Sequence, residues 1–271
     1  MKIRISPTLG TGFSGTPQDA WGVEPYNTET DLNEPCVFFG CYGLPDLYAI
    51  WKHKGKKYIL WCGSDITHFK NGYWLDTKGY TRANPDRLAG WIQTQCENYV
   101  ENTVERDALL RFGITAKVVP SFLGDVNKYK LSYKYSTRPK VYTSVSGDDF
   151  DLYGWHEIGN LAKNNPHVTF YLYGNQKEWY SNLKNIIVRG RVSQETFDEE
   201  TSKMQGALRL TRFDGFSELL SKSVLWGQYP ISPHIEYPYM MKDFKFKKTP
   251  NIKGRNYYRK VLNKYPWNEK S

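Results

Sequence analysis

The residue types best suited to chemistry fall in the run Arg209-Leu210-Thr211-Arg212-Phe213-Asp214-Gly215-Phe216-Ser217. A short apolar strand over 207–210 leads into an acidic-glycine-aromatic-serine turn, and a helix is expected over 218–226. This order places the backbone N–H groups of Gly215, Phe216 and Ser217 at a helix N-terminus, where unpaired donors and the helix dipole favour a phosphate group. Gly215 lets a ligand approach the backbone, and Asp214 can accept hydrogen bonds from hydroxyl groups. The same residues equally describe a plain strand-to-helix turn with Ser217 as its cap.

Four arginines, Arg189, Arg191, Arg209 and Arg212, stand at or near expected strand ends beside this turn. Their planar forks suit a diphosphate, although a surface position explains each of them as simply. Gly63-Ser64-Asp65 follows a hydrophobic strand, and Asp65 could orient or deprotonate a hydroxyl group or cap the helix from Ile66 onward. Asp148, Asp149 and Asp151 form an acidic cluster that also reads as helix capping, so no metal is expected. Cys36, Cys41, Cys62 and Cys96 lack zinc spacing with the five histidines and read as reduced, structural thiols.

Alternating strands and helices must position these groups. In the first half, strands are expected at 2–6, 37–40, 58–61, 99–100 and 116–119, with helices at 45–53, 85–96 and 105–112. A polar stretch, 128–139, reads as a linker. Strands then follow at 140–145, 168–173, 186–188 and 207–210, with helices at 150–164 and 194–204, the latter capped by Ser193. This pattern predicts α/β architecture with parallel sheets covered on both faces. Ligands of such sheets bind outside the carboxyl ends of the strands. That rule gathers the loops 10–15, 62–65, 146–149, 174–175, 189–192 and 212–217.

No apolar run approaches the roughly 20 residues of a membrane-spanning helix, and no signal-peptide pattern opens the chain, so a cytoplasmic location is expected. The net charge of +9 is concentrated at the end: residues 241–271 hold ten Lys and Arg against Asp243 and Glu269. With Tyr257, Tyr258, Tyr265 and Trp267 interleaved, this basic tail suits an anionic partner such as nucleic acid or a membrane surface. It could equally be a solvated helix whose aromatics pack back on the first domain.

The run Arg209, Thr211, Asp214, Gly215, Ser217 and Gly227 resembles, in register, the donor-binding signature of the retaining family-four glycosyltransferases of GT-B fold. The resemblance covers 138–235 best. It implies two Rossmann-like domains facing each other across a cleft: a shortened acceptor-side domain over 1–130 and a nucleotide-sugar-binding domain over 138–240. The basic segment 241–271 would then carry a C-terminal helix returning to the first domain. It implies transfer of a sugar from a UDP- or GDP-sugar, with no further cofactor, to an acceptor hydroxyl. The acceptor could be an envelope glycan or lipid, or DNA with hydroxymethylated bases, as in phage-type enzymes of this fold. A catalytically inactive binding module is the alternative. By resemblance Asp214 and Asp65 are the catalytic candidates. Gly12, Gly147, Arg189, Arg191, Arg209, Gly215, Phe216, Ser217 and Lys222 are the donor-side candidates. Two positions depart from the pattern. Lys222 stands where the family has a ribose-binding acid, and no Arg/Lys pair follows Val145.

Overall fold

A computed structural model describes residues 1–9, 15–73, 83–145, 150–174, 182–212, 214–262 and 264–268. The chain divides into two compact units. The first comprises Met1–Gly124, Asp214–Phe216 and Lys264–Ser271; the second comprises Asp125–Phe213 and Ser217–Asn263.

In the first unit the elements are β1 (Lys2–Ile5), α1 (Pro17–Trp21), β2 (Glu24–Pro25), β3 (Cys36–Phe39), α2 (Leu44–Lys52) and β4 (Lys57–Trp61). They continue as α3 (Ser64–Lys70), α4 (Pro85–Gln95), β5 (Glu97–Val100), α5 (Thr103–Leu110) and β6 (Ala116–Val118). The six strands form one parallel sheet in the order β2-β1-β3-β4-β5-β6. Both faces are covered, which is why strand residues of either parity are apolar. Cys36, Phe38, Ile59 and Trp61 face one core with Ile50, Phe69 and Ile92. Val37, Phe39 and Leu60 face the other, with Trp21, Tyr265 and Trp267.

The second unit contains β7 (Lys140–Val145), α6 (Trp155–Asn164), β8 (Thr169–Gly174), β9 (Ile186–Gly190), α7 (Gln194–Thr201), β10 (Gly206–Ala207), α8 (Glu218–Leu225) and α9 (Ile252–Val261). Its sheet is also parallel, in the order β10-β7-β8-β9. Parallel bridges from Leu208 to Ile231 and from Ile231 to Met241 extend it beyond β10. Trp155, Ile158 and Ala162 cover one face over Val141, Phe170 and Leu172. On the other, Phe197 of α7 meets Tyr142 and Tyr173 at ring distances of 5.8 and 4.8 Å.

The α/β class and the parallel sheets agree with the sequence; several bounds do not. The expected helix over 150–164 begins only at Trp155, because Phe150–Gly154 closes as a turn with Gly154 N–H donating to the Asp151 carbonyl at 3.0 Å. The expected strand over 207–210 narrows to Gly206–Ala207 plus the Leu208 bridge. The basic segment is not one free tail. Within it α9 belongs to the second unit, where Arg255 donates to the carbonyls of Leu225 (2.7 Å) and Tyr129 (3.1 Å). The residues that follow belong to the first unit: Tyr265 and Trp267 stack at 5.5 Å and flank Trp21, and the Tyr265 hydroxyl donates to the Phe122 carbonyl. Burying these aromatic rings supplies the reason the chain end returns there.

Candidate functional site

The carboxyl ends of β4 and β5 carry a buried cluster of acids. Glu101 follows β5 directly, and Asn102 caps α5 in a capping box with Glu105. Glu105 Oε2 accepts the N–H groups of Glu101 (2.7 Å) and Asn102 (3.3 Å). Its other oxygen is buried with no hydrogen-bond partner among the described residues. Asp65, in the first turn of α3, is fully buried and accepts the Cys41 N–H on one oxygen and the Cys62 N–H on the other, both at 3.0 Å.

The turn Asp214-Gly215-Phe216 is seated on this cluster within the first unit. Glu101 Oε2 accepts the Phe216 N–H at 2.7 Å, and Glu101 Oε1 takes the Ser121 hydroxyl. The Asn102 amide donates to the carbonyls of Asp214 (2.8 Å) and Gly215 (3.2 Å). Two glycines make the approach possible. Gly63 sits at φ +89°, a left-handed conformation, and a Cβ there would lie 3.1 Å from the Gly215 nitrogen. A Cβ on Gly215 would overlap Glu101 Oε2.

Burial dominates the electrostatics. It pushes the carboxyl of Asp65 up to about 7 against the opposing effect of its backbone N–H partners. Glu101 and Glu105 are both held well above the ordinary carboxylate range, first by burial; the Glu105 charge then opposes ionisation of Glu101, and the Asp65 charge that of Glu105.

In the second unit, the parallel sheet directs the ends of β7, β8, β9 and β10 to one edge, which carries Arg189, Arg191 and Arg209. The Arg209 guanidinium lies 4.3 Å from the centre of the Tyr153 ring, a cation–π contact. Arg189 is committed to a bidentate pair with Glu200, which also accepts the Tyr173 hydroxyl at 2.6 Å. Arg191 is exposed. Arg212, also exposed, lies 3.8 Å from Glu157. Ser217 caps α8 by accepting the Leu220 N–H at 3.4 Å.

The chain matches no known protein-family pattern, and no curated protein matches it in sequence. Solved structures do match in shape. HepE of Anabaena, solved in complex with UDP, aligns at TM-score 0.55 and 10% identity over 87% of this chain and 78% of HepE. Sucrose-phosphate synthase of Thermosynechococcus elongatus aligns at 0.55 and 10% identity, over 84% of this chain and 69% of the enzyme. TarM of S. aureus aligns at 0.50 and 14% identity over 84% of this chain. The fold is GT-B. The chain spans about half of TarM's own length, 47%.

Within this GT-B frame several expected site residues have other tasks. Asp65 is not an exposed base: both its oxygens are spent joining the carboxyl ends of β3 and β4. The Phe216 N–H, expected at a phosphate, is taken by a protein carboxylate. Lys222 is buried in α8 and pairs with Asp198 of α7 at 3.2 Å, so the cation that replaces the expected acid has an acid of its own. Gly12 and Gly147 lie outside the described residues, as do Ser146, Asp148 and Asp149.

Sequence reasoning passed over Glu101, Asn102 and Glu105. The signal was present: Glu-Asn-x-x-Glu directly follows a hydrophobic strand, and the carboxyl-end rule that selects 62–65 selects 101–105 as well. Asp46 was passed over too. It lies at the carboxyl ends of β1 and β3, where the strand order reverses, and binds Arg4 (2.5 Å), Ser6 (2.7 Å) and the Tyr42 N–H (2.9 Å).

Proposed function

We propose that the chain is a nucleotide-sugar-dependent glycosyltransferase. The observation that carries this reading is the signature turn, Asp214-Gly215-Phe216, held by backbone hydrogen bonds to Glu101 and Asn102 in a chain of GT-B fold. A turn fixed by its main chain presents its side chains without further ordering cost, which is what positioning a sugar requires. HepE, of like fold, was solved with UDP, and this supports a UDP-sugar as donor.

In this reading Asp214 accepts hydrogen bonds from sugar hydroxyls. Arg209 and Arg191, at the carboxyl edge of the second sheet, neutralise the leaving diphosphate. The diphosphate leaves with the electron pair of the anomeric C–O bond, an acceptor hydroxyl oxygen supplies the pair of the new one, and the hydroxyl proton passes to the departing diphosphate. Arginine performs the neutralisation here, so a chelator is expected to leave turnover unchanged. Retention of anomeric configuration follows the family resemblance, as does an acceptor of glycan, lipid or hydroxymethylated-base type.

The test is a screen of UDP- and GDP-sugars by thermal shift, followed by assay of nucleoside diphosphate release without acceptor. A stabilising donor that is slowly hydrolysed supports the proposal. Stabilisation with no release under any condition supports the inactive binding module instead, and no shift with any donor removes the reading. Product analysis by NMR decides the anomeric outcome.

A further inference from the structure

The cationic surface of the second unit is not confined to the basic segment 241–271; loops at one edge of the sheet share it. All strands of this sheet run parallel, so the segments that precede them meet at the amino edge, opposite the edge of Arg189 and Arg209. Four such segments, 134–140, 163–168, 182–185 and 202–206, are joined there by 242–250, which follows Met241 and turns back to Phe170, Gly206 and Tyr133; together they hold nine lysines and one arginine against a single acid, Asp243. Lys134, Arg138, Lys140, Lys163, Lys184, Lys245, Lys247 and Lys248 are all exposed. Among the described residues, two of the ten cations have carboxylate partners, Lys203 with Glu199 and Lys245 with Asp243.

These loops are stitched into one surface. Gln205 accepts the Lys140 N–H at 2.7 Å and donates to the Lys134 carbonyl at 2.8 Å. The Asn185 amide reaches the carbonyls of Ala162, Asn165 and Val168. In the 242–250 segment the apolar and basic residues alternate. Phe244 packs on Phe170 at 5.4 Å and Phe246 on Gly206, which leaves Lys245, Lys247 and Lys248 outward. The Tyr133 hydroxyl donates to the Lys247 carbonyl at 2.6 Å and holds that row in place.

We propose that this amino edge docks the protein on an anionic lipid surface. The six aligned segments of the extended sheet give an edge roughly 24 Å wide at ordinary strand spacing. Among the described residues it is built from loops and the last turn of α6, with no projecting helix or ribbon to enter a nucleic-acid groove. Its cations are almost all lysines, which act as compact, hydrated point charges rather than bidentate readers of individual phosphates. Tyr135, 41% exposed on the same edge, supplies an aromatic ring of the kind that settles at the headgroup level. Docking by this edge leaves the opposite, carboxyl edge facing away from the lipid, and it does not depend on the catalytic reading.

The test is co-sedimentation of the full chain with phosphatidylcholine vesicles, with and without one third phosphatidylglycerol. Binding is expected only to the anionic vesicles and should weaken steeply with added salt. Lys245→Gln/Lys247→Gln/Lys248→Gln should lower the partition coefficient by about a hundredfold, while the corresponding triple Arg variant retains it. A control Gln triple at Lys52, Lys54 and Lys70 of the first unit should bind as the parent does. Thermal melts of each variant establish that the fold is kept. Equal binding to neutral vesicles, no binding to anionic ones, or an unchanged Gln triple overturns the proposal. So does duplex DNA that displaces the protein from the vesicles and binds it more tightly at the same salt.

Discussion

Gly215 lies directly against the carboxylate of Glu101: a side chain at 215 would overlap the oxygen that accepts the Phe216 N–H at 2.7 Å. The glycine of the signature is therefore required by a partner residue more than a hundred positions away in sequence. Gly215→Ala should destabilise the protein by about 1–3 kcal/mol through overpacking and lower turnover with a donor sugar at least tenfold. Chemical denaturation and a coupled release assay check both. Combined with Glu101→Ala, its cost should be less than additive, because the smaller residue vacates the overlapped space.

Asn102 donates to the Asp214 carbonyl, a bond that a change of the 214 side chain leaves in place. Asp214→Ala is therefore expected to keep the fold and abolish turnover. A variant with parental activity would remove Asp214 from the site. Asn102→Ala is the complementary variant: it unseats the turn and removes an N-cap, at about 1 kcal/mol for the cap alone.

The buried acids set a pH dependence whose sign follows from their shifts. Asp65, Glu101 and Glu105 bind protons more tightly folded than unfolded. Their contribution is thus complete below the ordinary carboxylate range and, for Asp65, is lost as pH rises through about 7. Melting temperature should fall between about pH 5 and about pH 8. Asp65→Asn should flatten part of that slope while costing about 1–3 kcal/mol for the backbone N–H left without an acceptor. A melt series in matched buffers reads both effects.

Lys222→Glu restores the acid of the family pattern and sets it against Asp198. A buried acid would then face half-buried Asp198 with no cation between them, and a loss of about 2–3 kcal/mol is expected. Asp198→Lys in the same chain should recover much of it. Denaturant midpoints of the two single variants and the double variant give the coupling.

The edge arginines are expected to separate kinetically. Arg189 is engaged by Glu200 in a bidentate ion pair, whereas the Arg209 guanidinium lies against the Tyr153 ring. Arg209→Ala should raise the donor KM tenfold or more, and Arg189→Ala should change it several times less. Initial rates against donor concentration distinguish them.

Much of this architecture is written locally. Continuous apolar runs such as Cys36-Val37-Phe38-Phe39 and the spacing of helices between them specify parallel strands buried on both faces, and Asp214-Gly215-x-Ser217 marks the turn. What local pattern could not supply is the partner across space. The same Asp65 reads as base or cap until its two oxygens are seen on Cys41 and Cys62. Lys222 reads as a donor-side residue until Asp198 is placed beside it. Backbone periodicity fixes which face a residue occupies, but hydrogen bonding and burial of charge depend on which distant segments the fold brings together. Those assignments belong to the tertiary structure alone.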